Sequence, residues 1–350
     1  MRDFRTLILG LAVLCGGCAS LQPGPSSQTP SYTSYIVTDL GNLSGTSSTK
    51  VAGINGFGDI VGTSANHAFL WSNGTMTDLG TLGGSVSMAY AINVQGVVVG
   101  ESATASGEMH AFVWQNGVMK DLGVAGETSE ARGINSGGDI VGVAYAKNVR
   151  GGAVLWSGGQ RRFIGDLGPS GSGSTAISIN DKGEITGVSS GFSTNQGVVR
   201  GVIWLNGTIS DLGALGGLHS TANAINAQAL VVGWAEVANS SAAAFQWQNG
   251  KMSQLASLPG SVTSAGNGTQ ATAVNDSGVI VGSCVTFTGE THAVIWSNRK
   301  ITDLNSMIRQ SGLTLTRAMG INRSGQIVVE QQSNLDGPTT RAFLLTPKQQ

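Results

Sequence analysis

The chain has few charged residues and no long hydrophobic run near its start. These two features argue against nucleic-acid binding and against an N-terminal membrane span. Charged residues make up 11% of the 350 residues, and 19 basic side chains against 20 acidic ones leave a formal net charge of −1. A nucleic-acid-binding protein normally carries a basic stripe, which is missing here. The apolar run at residues 7–14 is too short to span a bilayer. We therefore expect no nucleic-acid partner and no membrane span from this run.

The same short run suits the core of a signal peptide, because Arg2 and Arg5 precede it. The residues that follow, Leu14-Cys15-Gly16-Gly17-Cys18, resemble a bacterial lipoprotein lipobox with Cys18 as the acylated residue. The usual pattern has leucine three residues before the cysteine, where this chain has Cys15. We expect residues 1–18 to be a signal peptide ending at a lipid-modified Cys18.

Residues 19–34 are rich in Ser, Gln, Thr and Pro and have no hydrophobic pattern, which predicts a flexible tether. The protein is then expected outside the cytoplasm, held by lipid to the bacterial envelope at the outer membrane or in the periplasm. The alternative is ordinary cleavage after Ala19, which would release a soluble secreted protein.

Cysteine is scarce, with three residues in the chain. Cys15 would leave with the signal peptide and Cys18 would carry lipid, so Cys284 remains alone and no internal disulfide is available. A lone cysteine without a partnered histidine motif is weak evidence for a nucleophile. We expect Cys284 to be a small packed residue near a strand end.

Motifs for catalysis and metal binding are also missing. The sequence has no Gly-x-Ser-x-Gly elbow, no phosphate loop, no EF-hand calcium loop and no Ser-x-Asp-x-Gly-x-x-Trp box. His67, His110 and His292 occupy equivalent places in separate repeats, too far apart to share one metal ion, and His219 has no paired ligand. We expect no metal and no cofactor.

What the chain does have is a phrase repeated seven times. It reads apolar-Asn-x-x-Gly, Ile-Val-Gly, a variable stretch, Ala-Phe-x-Trp, Asn-Gly and Asp-Leu-Gly, and it accounts for much of the 53 glycines. A period of about 40 residues with several short apolar runs indicates an array of small sheets. The seven asparagines of the phrase are Asn55, Asn93, Asn135, Asn180, Asn226, Asn275 and Asn322.

One repeat predicts four antiparallel strands. In the second repeat, residues 89–92 and 97–99 are short apolar strands joined by a turn at Asn93. Residues 110–114 form a third strand, and the Asn116-Gly117 hairpin leads to a fourth. Four strands per unit and seven units predict an all-β fold, a seven-bladed β-propeller over residues 35–347.

The ends of the repeat region predict how the ring closes. It starts with a fourth-strand sequence at residues 35–40 and finishes with a third-strand sequence at residues 341–345. The N-terminal strand can therefore complete the last blade and cover its edge.

Tryptophan at one register in six repeats predicts packing between blades. The repeated Asn is expected to satisfy local turn backbone. The Asp of Asp-Leu-Gly is expected to shape the blade at Asp39, Asp78, Asp121, Asp166, Asp211 and Asp303.

The phrase resembles a class of bacterial extracellular repeats named for a His-Ala-Phe tripeptide. The tripeptide stands at residues 67–69 and 110–112, and Asp-Leu-Gly-x-Leu-Gly-Gly stretches at residues 78–84 and 211–217 belong to the same pattern. The resemblance covers residues 35–347 and implies an exported, propeller-like protein of mostly unassigned function.

Function must then lie in residues that differ between blades. Loops between second and third strands vary most and share a face with the crossovers between blades. Lys50 and Arg317, on innermost strands entering from that face, should be neighbours in the closed ring and form a cationic spot. Solvated or mutually paired charges are the alternative. The ligand-binding candidates are Lys50, Tyr90, Arg132, Trp234, Glu236 and Arg317.

Two function classes lead, and a purely structural role at the cell surface is the remaining alternative. The first is a monomeric binding module, tethered to the membrane through its lipid, for an envelope protein or a glycan. The second is an enzyme, a polysaccharide lyase or hydrolase with its site at the channel mouth. That site would need convergent acids, for which Glu101, Glu130, Glu236 and Glu330 are the scattered candidates.

Overall fold

A computed structural model describes residues 32–45, 48–145, 151–168, 173–190, 197–238, 241–261, 268–333 and 339–348. The predicted signal peptide, Cys18 and nearly all of the predicted tether lie outside these residues. Among the described residues, no helix is long and apolar enough to cross a bilayer.

The described residues form 28 strands and one 3₁₀ turn, Leu304–Met307. Blades 1 to 3 contain β2 (Thr49–Ile54), β3 (Ile60–Ser64), β4 (His67–Ser72), β5 (Thr75–Asp78), β6 (Gly83–Ile92), β7 (Val98–Thr104), β8 (Met109–Gln115), β9 (Val118–Asp121), β10 (Thr128–Ile134), β11 (Ile140–Tyr145), β12 (Gly152–Ser157) and β13 (Gln160–Phe163). Blades 4 to 6 contain β14 (Ser174–Ile179), β15 (Ile185–Ser190), β16 (Val199–Leu205), β17 (Thr208–Asp211), β18 (Gly216–Ile225), β19 (Val231–Val237), β20 (Ala242–Gln248), β21 (Lys251–Gln254), β22 (Thr269–Val274), β23 (Ile280–Val285), β24 (Thr291–Ser297) and β25 (Lys300–Asp303). Blade 7 contains β26 (Arg317–Ile321), β27 (Ile327–Ser333), β28 (Thr339–Pro347) and β1 (Tyr35–Asp39).

The seven-bladed propeller is confirmed, and so is its closure by the N-terminal strand. Each blade is a four-stranded antiparallel sheet, and the seventh has the order β26-β27-β28-β1. β1 pairs with β28 from Tyr35 opposite Pro347 to Asp39 opposite Phe343. Tyr35 is 2% exposed, so the closing strand contributes to the core of blade 7.

Glycine in Ile-Val-Gly is explained by a close approach between two strands. A Cβ on Gly62 would lie 2.0 Å from the carbonyl oxygen of Lys50, and the same contact recurs at Gly100 with Met88. The inner strand is bulged at this level, where the register shifts between Val51 and Gly53. The repeated glycine therefore makes room for the bulge that curves each inner strand.

The repeated asparagines do more than close local turns. In every blade the side-chain amide nitrogen donates to the backbone oxygen of the equivalent asparagine in the next blade, as from Asn55 to Asn93 at 3.2 Å. The series ends with Asn322 donating to Asn55 at 3.1 Å, so seven hydrogen bonds form a closed ring. In most blades the side-chain oxygen also accepts from the turn, as Asn226 does from the amides of Gln228 and Leu230. We call the seven asparagines and their bonds between blades the asparagine ring.

Tryptophan packs between blades, as its repeated register predicts. Trp71, Trp156, Trp204 and Trp296 are buried, and the indole of Trp296 donates to the carbonyl oxygen of Ala256 in the preceding blade at 2.7 Å.

The register of Asp-Leu-Gly differs from expectation in blade 3. Phe163, not Asp166, pairs with Val154 at the position that Asp78 and Asp121 occupy in their blades.

Candidate functional site at the channel mouth

Strand direction gives the ring two unlike faces. Every inner strand runs from a crossover to an asparagine turn, so the crossovers and the second-to-third-strand loops share one face, which we call the mouth face. The asparagine turns and the Asn-Gly hairpins share the other, which we call the Asn-turn face. Residues 191–196 and 334–338, from second-to-third-strand loops on the mouth face, lie outside the described residues.

A central cavity of about 410 Å³ is lined by the inner strands of all seven blades. The repeated residues shape its wall, while three sets of equivalent positions near the mouth differ from blade to blade. The lining set is Ala52, Tyr90, Arg132, Ile177, Asn223, Thr272 and Met319. The set two residues earlier is Lys50, Met88, Glu130, Thr175, Thr221, Gln270 and Arg317, which pairs in the sheets with Thr63, Glu101, Val143, Val188, Trp234, Ser283 and Glu330.

Four of these residues meet between blades 2 and 3, and we call them the mouth cluster: Tyr90, Glu101, Glu130 and Arg132. The Tyr90 hydroxyl donates to the Glu101 carboxylate, and Arg132 forms an ion pair with Glu130. The guanidinium carbon of Arg132 lies 5.2 Å from the centre of the Tyr90 ring, a cation–π distance. Two predicted candidates are therefore in contact, joined by two glutamates outside the predicted binding set.

Arg132 has one donor left over. Its Nε is buried and has no hydrogen-bond partner among the described residues, although its side chain as a whole is 37% exposed. Leaving a buried donor unpaired costs free energy. Because Arg132 lines the cavity and part of its side chain is exposed, the rest of its guanidinium can bind an acceptor oxygen of a ligand.

Burial controls the acid chemistry of the cluster. Glu101 is 8% exposed, and burial raises the pKa of its carboxyl above 4.5, even though the hydrogen bond from Tyr90 lowers it. Burial likewise raises the pKa of Tyr90 well above its usual value. The cluster therefore holds one carboxyl whose ionisation is disfavoured by burial and one phenol that stays protonated.

Glu101 should make stability depend on pH in a predictable direction. A carboxyl whose folded-state pKa is raised contributes stability that is present below its unfolded value and lost as pH rises through the folded value. Acidification from neutral pH toward 4.5 should therefore stabilise the natural protein relative to Glu101→Gln. Urea unfolding of both proteins across this range measures the difference, and a difference that stays flat or reverses contradicts the assignment.

Lys50 and Arg317 lie at the mouth edge on blades 1 and 7, both exposed. A carboxylate accompanies them: Glu330 is 9% exposed, pairs in register with Arg317, and accepts from the backbone N–H of Val51 at 3.1 Å. Burial raises the pKa of Glu330, while Arg317 and Lys50 act in the opposite direction. The expected cationic spot thus contains a buried acid, and its two cations partly neutralise that acid.

Trp234 and Glu236 stand on β19 and do not line the cavity. Trp234 is partly buried, opposite Thr221 in the sheet. The Glu236 carboxylate accepts from the backbone N–H groups of Leu218 at 2.9 Å and His219 at 3.1 Å. Burial opposes ionisation of Glu236, but these two hydrogen bonds outweigh it and lower its pKa. Glu236 therefore stabilises the entry into blade 5.

The three repeated histidines each bind an aspartate of their own blade. The Nδ1 atoms of His67, His110 and His292 lie 2.7–2.9 Å from the carboxylates of Asp78, Asp121 and Asp303. These pairs join third and fourth strands in separate blades. Within the described residues, no three His, Cys, Asp or Glu side chains come together as a metal site would need.

Cys284 is buried, 0% exposed. Burial raises the pKa of its thiol, which disfavours the reactive thiolate. This position fits the packed residue expected from the sequence.

Comparison with known proteins shows a similarity in fold and none in sequence family. No family model matches the chain, and no curated protein matches it. Virginiamycin B lyase from Staphylococcus aureus is similar in structure at 14% identity, with a TM-score of 0.57 over 90% of this chain and 100% of that one. TolB from Acinetobacter baumannii matches 84% of this chain and 65% of its own at 13% identity and a TM-score of 0.43. The likeness to the lyase extends to the fold. Identities this low carry no activity across.

Proposed function

We propose that the protein is an exported binding module that takes a glycan at the mouth cluster. Residues 1–18 serve as a signal peptide, Cys18 carries lipid, residues 19–34 form the tether, and residues 35–347 are the propeller that presents the site. The observation that carries this proposal is the mouth cluster itself. At the lining position, where the other blades have Ala, Ile, Asn, Thr or Met, blades 2 and 3 place Tyr90 and Arg132 in the cavity wall, and each of the two binds a carboxylate beside it.

A glycan suits this wall better than a protein surface does. A sugar offers many hydroxyl and carboxyl oxygens for the exposed part of the Arg132 guanidinium, and an aromatic ring such as Tyr90 offers an apolar face. Among the described residues of the mouth face, the large exposed apolar side chains are spread from blade 2 to blade 6 rather than gathered on one blade, at Val124, Tyr145, Phe163, Leu218 and Phe287.

Binding to fractionated envelope polysaccharides and to neutral and acidic oligosaccharides tests the proposal. Arg132→Ala should weaken binding about tenfold or more, because a hydrogen bond to a charged group contributes about 1.5–3 kcal/mol. Arg323→Ala is the matched control, since Arg323 is 81% exposed on the Asn-turn face. Normal glycan binding by a folded Arg132→Ala protein, or equal losses in both variants, would contradict the site.

One observation favours a second function, that of a polysaccharide lyase or hydrolase at the same mouth. Glu101 is a buried acid hydrogen-bonded to a phenol, and a second carboxylate, Glu130, stands beside it. A carboxylic acid with a raised pKa next to a second titratable group is typical of general acid–base sites. New reducing ends or unsaturated sugars released during the binding assay, and lost in Glu101→Gln, would establish the enzyme.

A further inference from the structure

The path of the chain decides which face lies nearest the tether. β1 runs from Tyr35, opposite Pro347, toward the mouth face at Asp39. The chain therefore enters the propeller at the Asn-turn face. Tyr32 lies against the asparagine turn of blade 7, where a Cβ on Gly325 would be 2.2 Å from its hydroxyl oxygen. The part of the chain that precedes residue 32 is therefore joined to the propeller at the face opposite the mouth.

The same face carries a group of exposed apolar side chains on three consecutive blades. Ile36 of blade 7 is 52% exposed, Phe57 of blade 1 is 80% exposed, and Val94 and Val118 of blade 2 are 47% and 55% exposed. Phe57 and Val94 occupy neighbouring turns, since a Cβ on Gly56 would contact the Val94 side chain at 3.9 Å. We call these four residues the apolar sector.

Charge is nearly absent from the apolar sector. The turns of blades 1 and 2 on this face, residues 55–59, 72–75, 93–97 and 115–118, contain one charged residue, Asp59. Its carboxylate is half-buried and engaged by Asn55 and Ser72. The corresponding turns of blades 3 to 6 carry Asp139, Asp181, Lys182, Glu184, Lys251, Asp276, Arg299 and Lys300. Blade 7 carries Arg323 and Lys348 on this face, so the uncharged part of the sector, with its exposed phenylalanine, lies on blades 1 and 2, next to the blade that β1 completes.

We propose that the apolar sector rests on the lipid surface to which Cys18 is anchored, so that the channel mouth points away from the membrane. This inference rests on the lipid anchor in the proposed function. The proposed tether leaves only residues 19–31 between Cys18 and the described chain. A flexible chain of that length has a mean end-to-end distance of about 20 Å. The tether thus keeps this face at high effective concentration near the bilayer, where even weak insertion of Phe57 is favoured. Lys348 is exposed next to β1 on blade 7 and suits anionic headgroups, whereas Arg323 is paired with Asp276 of blade 6 at 3.2 Å.

The test replaces the natural lipid with a defined anchor. The chain from residue 19 onward, which keeps every described residue, is bound through an N-terminal hexahistidine to nickel-chelating vesicles containing anionic lipid. An environment-sensitive dye is attached to Phe57→Cys, with Phe287→Cys as the matched control because Phe287 is 74% exposed on the mouth face. Cys284 is buried and should not react.

We expect blue-shifted emission and quenching by lipid-embedded quenchers at position 57 and neither at position 287. Phe57→Ser should weaken vesicle binding about tenfold, as expected for removing one interfacial aromatic side chain, and Phe287→Ser should leave binding unchanged. A position-57 dye that reports water, or protection that requires added envelope protein, would overturn the proposal.

The hexahistidine anchor bypasses acylation and the assay measures no glycan, so its failure would leave the mouth cluster untouched. Acylation is tested separately by fractionating cells that express Cys18→Ala, which should lose the protein from the membrane fraction. Retention of that variant at the membrane would contradict the lipid anchor and leave the vesicle result to stand alone.

Discussion

A chain that lacks residues 35–41 should not fold to a stable monomer. The deletion removes the outer strand of blade 7, its five register pairs with β28, and the buried side chains of Tyr35 and Leu40. Truncating a large buried side chain costs about 2–5 kcal/mol, and typical domains are stable by only about 5–15 kcal/mol. The exposed edge of β28 would also invite pairing with another chain.

Thermal denaturation and size-exclusion chromatography measure this result. The matched control removes residues 19–31, which precede the closing strand, and should melt like the full chain. If the 35–41 deletion also melts like the full chain and stays monomeric, β1 contributes little to closure and the ring is stable without it.

The second large effect should come from the asparagine ring. Asn226 is 5% exposed, donates to the carbonyl oxygen of Asn275 at 3.0 Å, and accepts from two turn amides. Asn226→Ala removes the partner of one buried carbonyl and of two part-buried turn amides and should cost about 2–4 kcal/mol of unfolding free energy. Asn226→Asp keeps the acceptor for the turn but places a carboxylate oxygen against a carbonyl, so it isolates the bond between blades.

Asn226→Asp should therefore destabilise the protein at neutral pH by about 1–3 kcal/mol and lose part of that effect at low pH, where a protonated carboxyl can donate again. Urea unfolding gives the free energies, and Gln228→Ala, an exposed side chain in the same turn, serves as the control with little expected effect. An Asn226→Asp protein as stable as the natural one would mean that the bonds between blades do not stabilise the ring.

The repeat made the fold predictable, because each phrase carries its own strands and turns and the ends of the repeat region complement each other. The asparagine ring was only half predictable. Local turn chemistry explains why Asn opens each turn, but its bond to the next blade depends on how neighbouring blades meet. In blade 3, Asp166 matched the motif and missed the register, because β13 ends at Phe163.

The site was predictable only in part. Counting along the inner strands put Tyr90 and Arg132 at equivalent positions on successive blades, and the structure brings them into contact. Glu101 could have been added by pairing the first two strands of blade 2, which sets it opposite Met88. The buried Nε of Arg132 and the backbone bonds of Glu236 depend on three-dimensional packing that no local pattern encodes.

Hydrogen–deuterium exchange with and without the captured ligand tests the central claim most directly, namely that the blade-specific mouth residues bind while the repeated residues build the ring. Protection should concentrate in β6, β7 and β10, the strands that carry Tyr90, Glu101, Glu130 and Arg132. The asparagine turns and the outer strands should exchange as in the free protein. Protection confined to the Asn-turn face or the outer strands, with the mouth strands unchanged, would contradict this account.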